Sequence, residues 1–227
     1  MHLAIVIPVF NEGQVIRKVI SGLPKKLKGV DKITVLAVDD GSSDNSAEEI
    51  KKTNARLFCH PINLGAGGAT ATGLEAAKIL KADIVITMDG DGQHNPKEIA
   101  ELLKPILSKT ADIVIGTRLK GKGSMSISRR VGNIGLNIAT LLLSGKWTSD
   151  SQSGYKALTK EALNKINLDL TGYEFCSEII IECSKQNLRL IEIPINSIYS
   201  DYSKKKGQSA LNGFNIITKL IYRKISR

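Results

Sequence analysis

Val85-Ile86-Thr87-Met88-Asp89-Gly90-Asp91-Gly92-Gln93-His94 decides the fold. A run of mostly β-branched apolar residues stops at two carboxylates separated by one glycine. The run Ile84 to Met88 reads as a buried strand. In an open α/β sheet, chemistry collects at the carboxyl ends of the strands. Two carboxylates held this close repel each other. A hard divalent cation, Mg2+ or Mn2+, relieves the repulsion because it takes oxygen ligands. Gly90 and Gly92 let the backbone approach a bulky ligand. Asn95-Pro96-Lys97-Glu98 then predicts a helix start, with Asn95 as N-cap, Pro96 at the first helical position and Glu98 closing a capping box. The competing reading is a solvated acidic turn. Asp-X-Asp alone is a common tripeptide, so the flanking chain must decide.

Working outward, Leu3 to Val9 is a continuous apolar run, the mark of a strand buried on both faces. Asn11 reads as the cap of a helix, with Gln14 closing its box and Val15, Ile16, Val19, Ile20 and Leu23 as its apolar face. Ile33 to Val38 is a second buried strand and ends in Asp39-Asp40-Gly41-Ser42-Ser43. A helix to about Lys52 and a short third strand, Ala55 to His60, follow. Asn63 to Gly68 is a glycine-rich loop that opens a helix through Thr72, Leu74, Ala77 and Leu80. Beyond the acidic strand come a helix to Leu107 and a strand from Asp112 to Arg118. This alternation predicts an α/β fold with a mostly parallel central sheet flanked by helices. Parallel strands bring their carboxyl ends to one edge. Glu12, Asp39, Asp89 with Asp91, and Arg118 all stand at such ends. Carboxylates, a cation and a guanidinium at one edge suit a nucleotide diphosphate as leaving group.

Past Arg118 the pattern changes. Gly121 to Ser124 is a loop, and Ser128 to Ser144 reads as an amphipathic helix. Asp150 to Tyr155 is a polar turn, Tyr173 to Gln186 a helix, and Leu188 to Ile198 one or two strands broken by Pro194. Lys204 to Lys206 precede a final amphipathic basic helix, about Ala210 to Ile225. The 227 residues, 42% of them hydrophobic, suffice for one domain with a substantial core. Aromatics at 4% argue against a base-stacking nucleic-acid platform, and a net charge of +10 calls for an anionic partner. Cys59, Cys176 and Cys183 are odd in number and form no CxxC pair, which fits reduced thiols of an intracellular protein. The chain starts directly in a strand, so no signal peptide is expected. The longest apolar stretch, Ile134 to Leu143, is too short to span a membrane and contains Asn137.

Three rival motifs fail. Gly65-Ala66-Gly67-Gly68-Ala69-Thr70 lacks the last glycine of GxGxxG and does not follow the first strand, leaving a small-residue helix packed on the sheet. Gly116 to Gly123 places glycine where a P-loop needs Ser or Thr. No Ser-His-Asp spacing is present. Cys176, Cys183, His60 and His94 read as structural.

Pro8-Val9-Phe10-Asn11-Glu12, Val38 to Asp44, Asn63-Leu64-Gly65, Met88 to His94, Gly116-Thr117-Arg118 and Asp150 to Tyr155 together resemble the family 2 glycosyltransferases. Within them the chain is similar to the dolichol-phosphate mannose and polyprenyl-phosphate sugar synthases, from Leu3 to about Gly213. The resemblance implies the GT-A (nucleotide-diphospho-sugar transferase) fold. It implies that Pro8, Phe10, Glu12, Ala37, Asp39 and Gly65 hold the nucleotide of the donor. Asp89, Asp91 and Gln93 would ligate Mg2+ or Mn2+ with the diphosphate, Gly90 giving close backbone contact. Arg118, Arg129 and Asn133 would hold the acceptor phosphate, and Asp150 to Gly154 would line the sugar and acceptor region. Asp89, Asp91, Arg118 and Asp150 would carry the catalysis. The implied reaction is inverting transfer of one sugar, from GDP-mannose, UDP-glucose or a UDP-N-acetylhexosamine, onto dolichyl or polyprenyl phosphate.

One domain, 1–227, is expected, with a nucleotide-sugar half to 118, an acceptor half to 203 and a basic membrane-surface segment at 204–227. Lys204 stands where the family often has arginine, three residues before Gly207 of Gly207-Gln208-Ser209. It keeps the charge for an acceptor phosphate and loses the fork. Relatives often carry membrane spans beyond this point. The chain instead resembles the span-free members, which bind the cytoplasmic face of a membrane peripherally, on its anionic surface, or through a small membrane-anchoring protein. Two further readings stay open: a family 2 enzyme acting on a glycan or protein, and a non-catalytic basic protein binding lipid or nucleic acid. Intact Asp89, Asp91 and Gln93 disfavour the second.

Overall fold

The computed structural model describes residues 1–118 and 127–198, together with 216, 218–220 and 222; the side chains of 127–129 are outside this description. Seven strands form one sheet among these residues: β1 (His2–Val9), β2 (Lys32–Asp39), β3 (Arg56–Cys59), β4 (Ile84–Thr87), β5 (Ile113–Thr117), β6 (Lys156–Thr159) and β7 (Leu190–Pro194). Their order is β3-β2-β1-β4-β6-β5-β7. The helices are α1 (Ile16–Ser21), α2 (Ser46–Lys51), α3 (Ala66–Ile79), α4 (Ile99–Leu107), α5 (Ile127–Ser144), α6 (Lys160–Lys165) and α7 (Phe175–Lys185).

Both sheet faces are covered, which is why the strands are continuously apolar. Leu3, Ile5 and Ile7 of β1 pack with Ile16 and Val19 of α1 and Leu102 and Ile106 of α4. The alternate residues Ala4 and Val6 meet Leu74 and Ala77 of α3. Each leucine, isoleucine or valine side chain among them, fully buried, contributes about 1.5–3 kcal/mol. Gly73 brings α3 close: a Cβ there would lie 2.3 Å from Val6 Cγ1. The glycine-rich stretch is thus a tightly packed helix, as its small residues suggest.

The sheet is mixed. β6 runs antiparallel between β4 and β5, with Thr87 opposite Lys156 and Val114 opposite Ala157. Neither β6 nor α6 is apparent in the hydrophobic pattern, because each is a short element of four to six residues. Two capping expectations are corrected. Asn11 sits at φ +55° and its Oδ1 accepts from the Ser43 and Asp44 amides, while α1 begins five residues later without a side-chain cap. Asn95 does accept from the Lys97 amide, but it opens a 3-10 turn, Pro96–Glu98, ahead of α4. Glu98 does not close a box; its Oε1 accepts from the backbone and side chain of Asn196.

At the far end, Ile216 and Leu220 are helical and bury against Leu136 of α5 and Ile181 of α7. Lys219 donates to Glu174 at 2.9 Å. Of the expected final amphipathic helix, the apolar residues Leu211, Phe214, Ile217, Ile221 and Ile225 lie outside the described residues, as do Lys204 and the Arg129 side chain.

Candidate functional site

The carboxyl ends of β1, β2 and β4 reach one edge in register, with Val9 beside Asp39 and Val6 beside Thr87. Because β6 is antiparallel, the turn entering it arrives at that same edge. Thr87 Oγ1 donates to the Gly154 carbonyl at 2.7 Å and ties the two together.

The β1 and β2 exits form one rigid corner. The Asn11 amide donates to Ser42 Oγ, the Glu12 amide to Ser46 Oγ, and the Gly13 amide to Asp44. Glu12 and Asp39 are buried in it, and Phe10 is exposed at its mouth beside half-buried Pro8. Asp39 Oδ1 is buried with no hydrogen-bond partner among the described residues. A buried acceptor left open is costly unless a ligand donates to it. Two expected nucleotide residues make other contacts within the protein. Ala37 has no exposed surface and lies in the sheet between Ile7 and Leu57. The Gly65 amide is spent on Asp40 Oδ2 at 2.7 Å, and a Cβ on Gly65 would meet Thr171 O at 2.5 Å. Asp40 also binds the Leu64 amide and His60 Nδ1. Of the two adjacent aspartates, one therefore builds the loop and the other faces the site.

Asp89 and Asp91 stand beyond β4. Gly90 seats the turn with a Cβ position only 3.1 Å from Pro8 O, and Gly92 takes φ +78°. Gln93 donates from its amide nitrogens to both oxygens of Asp91, at 2.9 Å and 2.7 Å. Its backbone carbonyl is held by the Ile198 amide. His94, read as structural from sequence, places Nε2 2.9 Å from Asp89 Oδ2. The two carboxylates titrate apart, as like charges must. Burial, then the charges of Asp89 and Glu12, push Asp91 up to about 6. Burial also acts to raise Asp89, but His94, Arg118 and Lys156 outweigh it and hold Asp89 low. Two carboxylates and an amide oxygen, open on one side, fit a Mg2+- or Mn2+-type cation that completes its shell with water and phosphate. Among the described residues no third carboxylate, histidine or cysteine closes a cage around them.

Across the edge, Arg118 grips Asp150. Its Nε donates to Oδ2 at 2.7 Å, Nη2 to Oδ1 at 2.8 Å, and its backbone amide to Oδ2 at 3.0 Å. Asp150 has no exposed surface, and the guanidinium holds its carboxyl below the usual range although burial acts the other way. Asn133 is half-buried on α5, four residues before Asn137.

Sequence reasoning missed three contributors here. Lys156 is wholly buried, donates to the Ser153 carbonyl and lies 6.0 Å from the Phe175 ring centre. Asn137 clamps both sides of Asp150, donating to Ser149 O at 2.6 Å and accepting from the Ser151 amide at 2.8 Å. Burial, then the charges of Asp89, Asp91 and Glu12, raise the Tyr173 phenol, which marks it as a neighbour of the acidic group. A lone asparagine on an apolar helical stretch was the one available signal.

The outer side of α5 carries an apolar stripe, while Leu136 on its inner side is buried. Val131, Ile134, Ile138 and Leu142 are exposed, and Trp147 beyond the helix is exposed too, while Asn137 and Thr140 point inward. Thr140 donates to Ser177 Oγ at 2.8 Å. No helix among the described residues is long and apolar enough to cross a membrane.

Residues 4–167 match the family model described as Glycosyl transferase family 2. A Methanocaldococcus jannaschii protein of uncharacterised activity is 42% identical across 99% of this chain and 93% of its own length. The UDP-N-acetylglucosamine–dolichyl-phosphate N-acetylglucosaminyltransferase of Methanococcus voltae is 37% identical across 98% of this chain and 96% of its own. The glucosyl-3-phosphoglycerate synthase of Mycobacterium tuberculosis, solved with Mn2+, uridine diphosphate and glucosyl-3-phosphoglycerate, superposes with a TM-score of 0.70. That match covers 97% of this chain and 77% of the other at 19% identity, a likeness of fold. The expected mostly parallel GT-A sheet is the one observed, and with the family model covering most of the chain, the protein belongs to glycosyl transferase family 2.

Proposed function

We propose that the protein transfers one sugar from a nucleoside diphosphate sugar to a dolichyl or other polyprenyl phosphate, with inversion, at a membrane surface. The observation that carries this reading is α5, whose outer face is an exposed apolar stripe and whose inner face holds the Asp150 loop through Asn137. One helix thereby joins a lipid-compatible surface to the charged edge. The activity of the Methanococcus voltae relative supports a polyprenyl phosphate acceptor and makes UDP-N-acetylglucosamine the first donor to test.

The geometry supports the following roles. Asp39 and Glu12 receive the donor's nucleoside, with Asp39 Oδ1 as the open acceptor and Phe10 at the mouth. Asp89 and Asp91, with Gln93, hold Mg2+ or Mn2+; once bound, the cation neutralises the diphosphate leaving group. Arg118 meets the acceptor phosphate, a bidentate acceptor for which guanidinium is suited. A phosphate monoester has a second pKa of about 6, so it attacks as a dianion near neutral pH and needs little help from a base. Asp150 accordingly serves to orient Arg118, since three hydrogen bonds already occupy its oxygens. Catalysis rests on positioning and charge stabilisation. Arg129, Asn133 and Lys204 complete the phosphate side in this reading. The basic 204–227 segment and the α5 stripe meet the anionic headgroups and acyl region of the cytoplasmic leaflet.

The test combines purified protein, Mn2+, a short polyprenyl phosphate in mixed micelles, and UDP-N-acetylglucosamine, UDP-glucose or GDP-mannose in turn. One donor is expected to give a lipid-phosphate monosaccharide with release of nucleoside diphosphate, and Asp91→Ala is expected to abolish it. Turnover that persists in EDTA and in Asp91→Ala overturns the cation assignment. Transfer to a glycan or protein in preference to the lipid overturns the acceptor.

A further inference from the structure

His94 is 2% exposed and lies directly after the acidic loop. Its ring stacks at 4.7 Å and 36° on Tyr155, which is itself fully buried and donates from its hydroxyl to the Asn95 carbonyl. Nε2 faces Asp89 Oδ2 at 2.9 Å. A carboxylate only accepts, so Nε2 carries the proton and the tautomer is fixed. Nδ1 is then a buried atom with no hydrogen-bond partner among the described residues. Packing alone does not account for this. A phenylalanine would stack on Tyr155 equally well and leave no orphaned nitrogen. The fold instead carries an unsatisfied Nδ1 and places an N–H against Asp89. On the other side of that carboxylate, Gly154 comes so close that a Cβ would lie 2.3 Å from Asp89 Oδ1. Asp89 is thus bounded on both sides, with its Oδ2 bonded and its Oδ1 free of hydrogen bonds among the described residues.

We propose that His94 is a positioning residue for the cation site: its Nε2–H fixes the Asp89 carboxylate in the orientation that receives the cation. The proposal rests on the assignment of Asp89 and Asp91 as cation ligands. A partner of this kind behind a ligand typically changes metal affinity about 10–100-fold when removed.

The experiment follows free Mn2+ by its electron paramagnetic resonance signal during titration of full-length protein with Mn2+ and UDP or GDP. Wild type, His94→Phe and His94→Gln are compared, with melting temperatures recorded alongside. Phe keeps the stack and deletes the donor, while the Gln amide restores an N–H near the Nε2 position. The expected result is Mn2+ affinity reduced about 10–100-fold in His94→Phe at an unchanged melting temperature, with most of it recovered in His94→Gln. Mn2+ binding by folded His94→Phe that equals wild type overturns the role of His94 and leaves the cation site standing. Wild type that takes up no Mn2+ with either nucleotide overturns the cation site, and this proposal with it. Should His94→Phe fail to fold, His94→Leu is read against His94→Gln by the same criteria.

Discussion

Replacing Asp150 by alanine removes the acceptor of three hydrogen bonds from Arg118, at 2.7, 2.8 and 3.0 Å. The carboxylate is fully buried and the Arg118 side chain is 16% exposed. The variant takes these bonds from a guanidinium and a backbone amide that have little access to water. Breaking a buried ion pair from one side costs about 3–5 kcal/mol. In a domain of this size 1 kcal/mol shifts the melting temperature about 2–4 °C, so a drop of about 6–20 °C is expected. Urea unfolding at constant slope measures it directly. The pH dependence has a fixed sign. Burial acts to raise the Asp150 carboxyl, but the Arg118 charge and hydrogen bonds outweigh it and hold it below its ordinary value. A depressed carboxyl stabilises above the unfolded-state value of about 3.9 and loses that contribution as pH falls through the folded value. The gap between wild type and Asp150→Ala should therefore stay flat from neutral pH to about 5 and close in strong acid. Arg118→Met combined with Asp150→Leu should be less destabilised than the sum of the single variants, since an apolar pair leaves no buried charge. A loss below about 1 kcal/mol in Asp150→Ala would refute the reasoning, because that is the worth of a solvated surface pair.

Asp39→Ala is expected to weaken nucleoside diphosphate binding in calorimetry without lowering stability, since the variant deletes a buried acceptor that the protein itself leaves open. Ile138→Glu on the exposed α5 stripe should reduce co-sedimentation with anionic vesicles and turnover of a lipid acceptor, with donor affinity unchanged; equal pelleting would remove α5 from the membrane surface. Gly154→Ala forces a methyl to within 2.3 Å of Asp89 Oδ1 and should impair Mn2+ binding more than it lowers the melting temperature.

Strands β1, β2 and β4 were legible because each is a continuous apolar run with a carboxylate at its end or within three residues beyond it, a pattern that demands burial on both faces and exposure at one edge. The acidic pair could be placed for the same reason. What escaped was set by contacts far apart in sequence. Lys156-Ala157-Leu158-Thr159 begins with a lysine, whose burial becomes tolerable through partners such as the carbonyl of Ser153 and the nearby carboxylates. Asn11 has the composition of a cap, yet the Ser43–Asp44 turn competes for its side chain and wins. His94 had no visible partner, because Asp89, five positions earlier, meets it only once the loop has closed. Ala37 was assigned to the nucleotide by motif position, and the burial that strand register gives it could not be read from the motif.

The antiparallel β6, wedged between β4 and β5, has a consequence for synthesis. Ile84-Val85-Ile86-Thr87 gains its second neighbour only when residues 156–159 exist, about 70 residues later. At about 5–20 residues per second that is several seconds of translation, during which an apolar strand stands as an open edge. Such an edge invites pairing with other chains. The nascent protein therefore passes through a sticky interval that ends when the same strand closes the sheet and delivers Gly154 and Lys156 to the acidic pair. Solubility during translation and completion of the site are the same event.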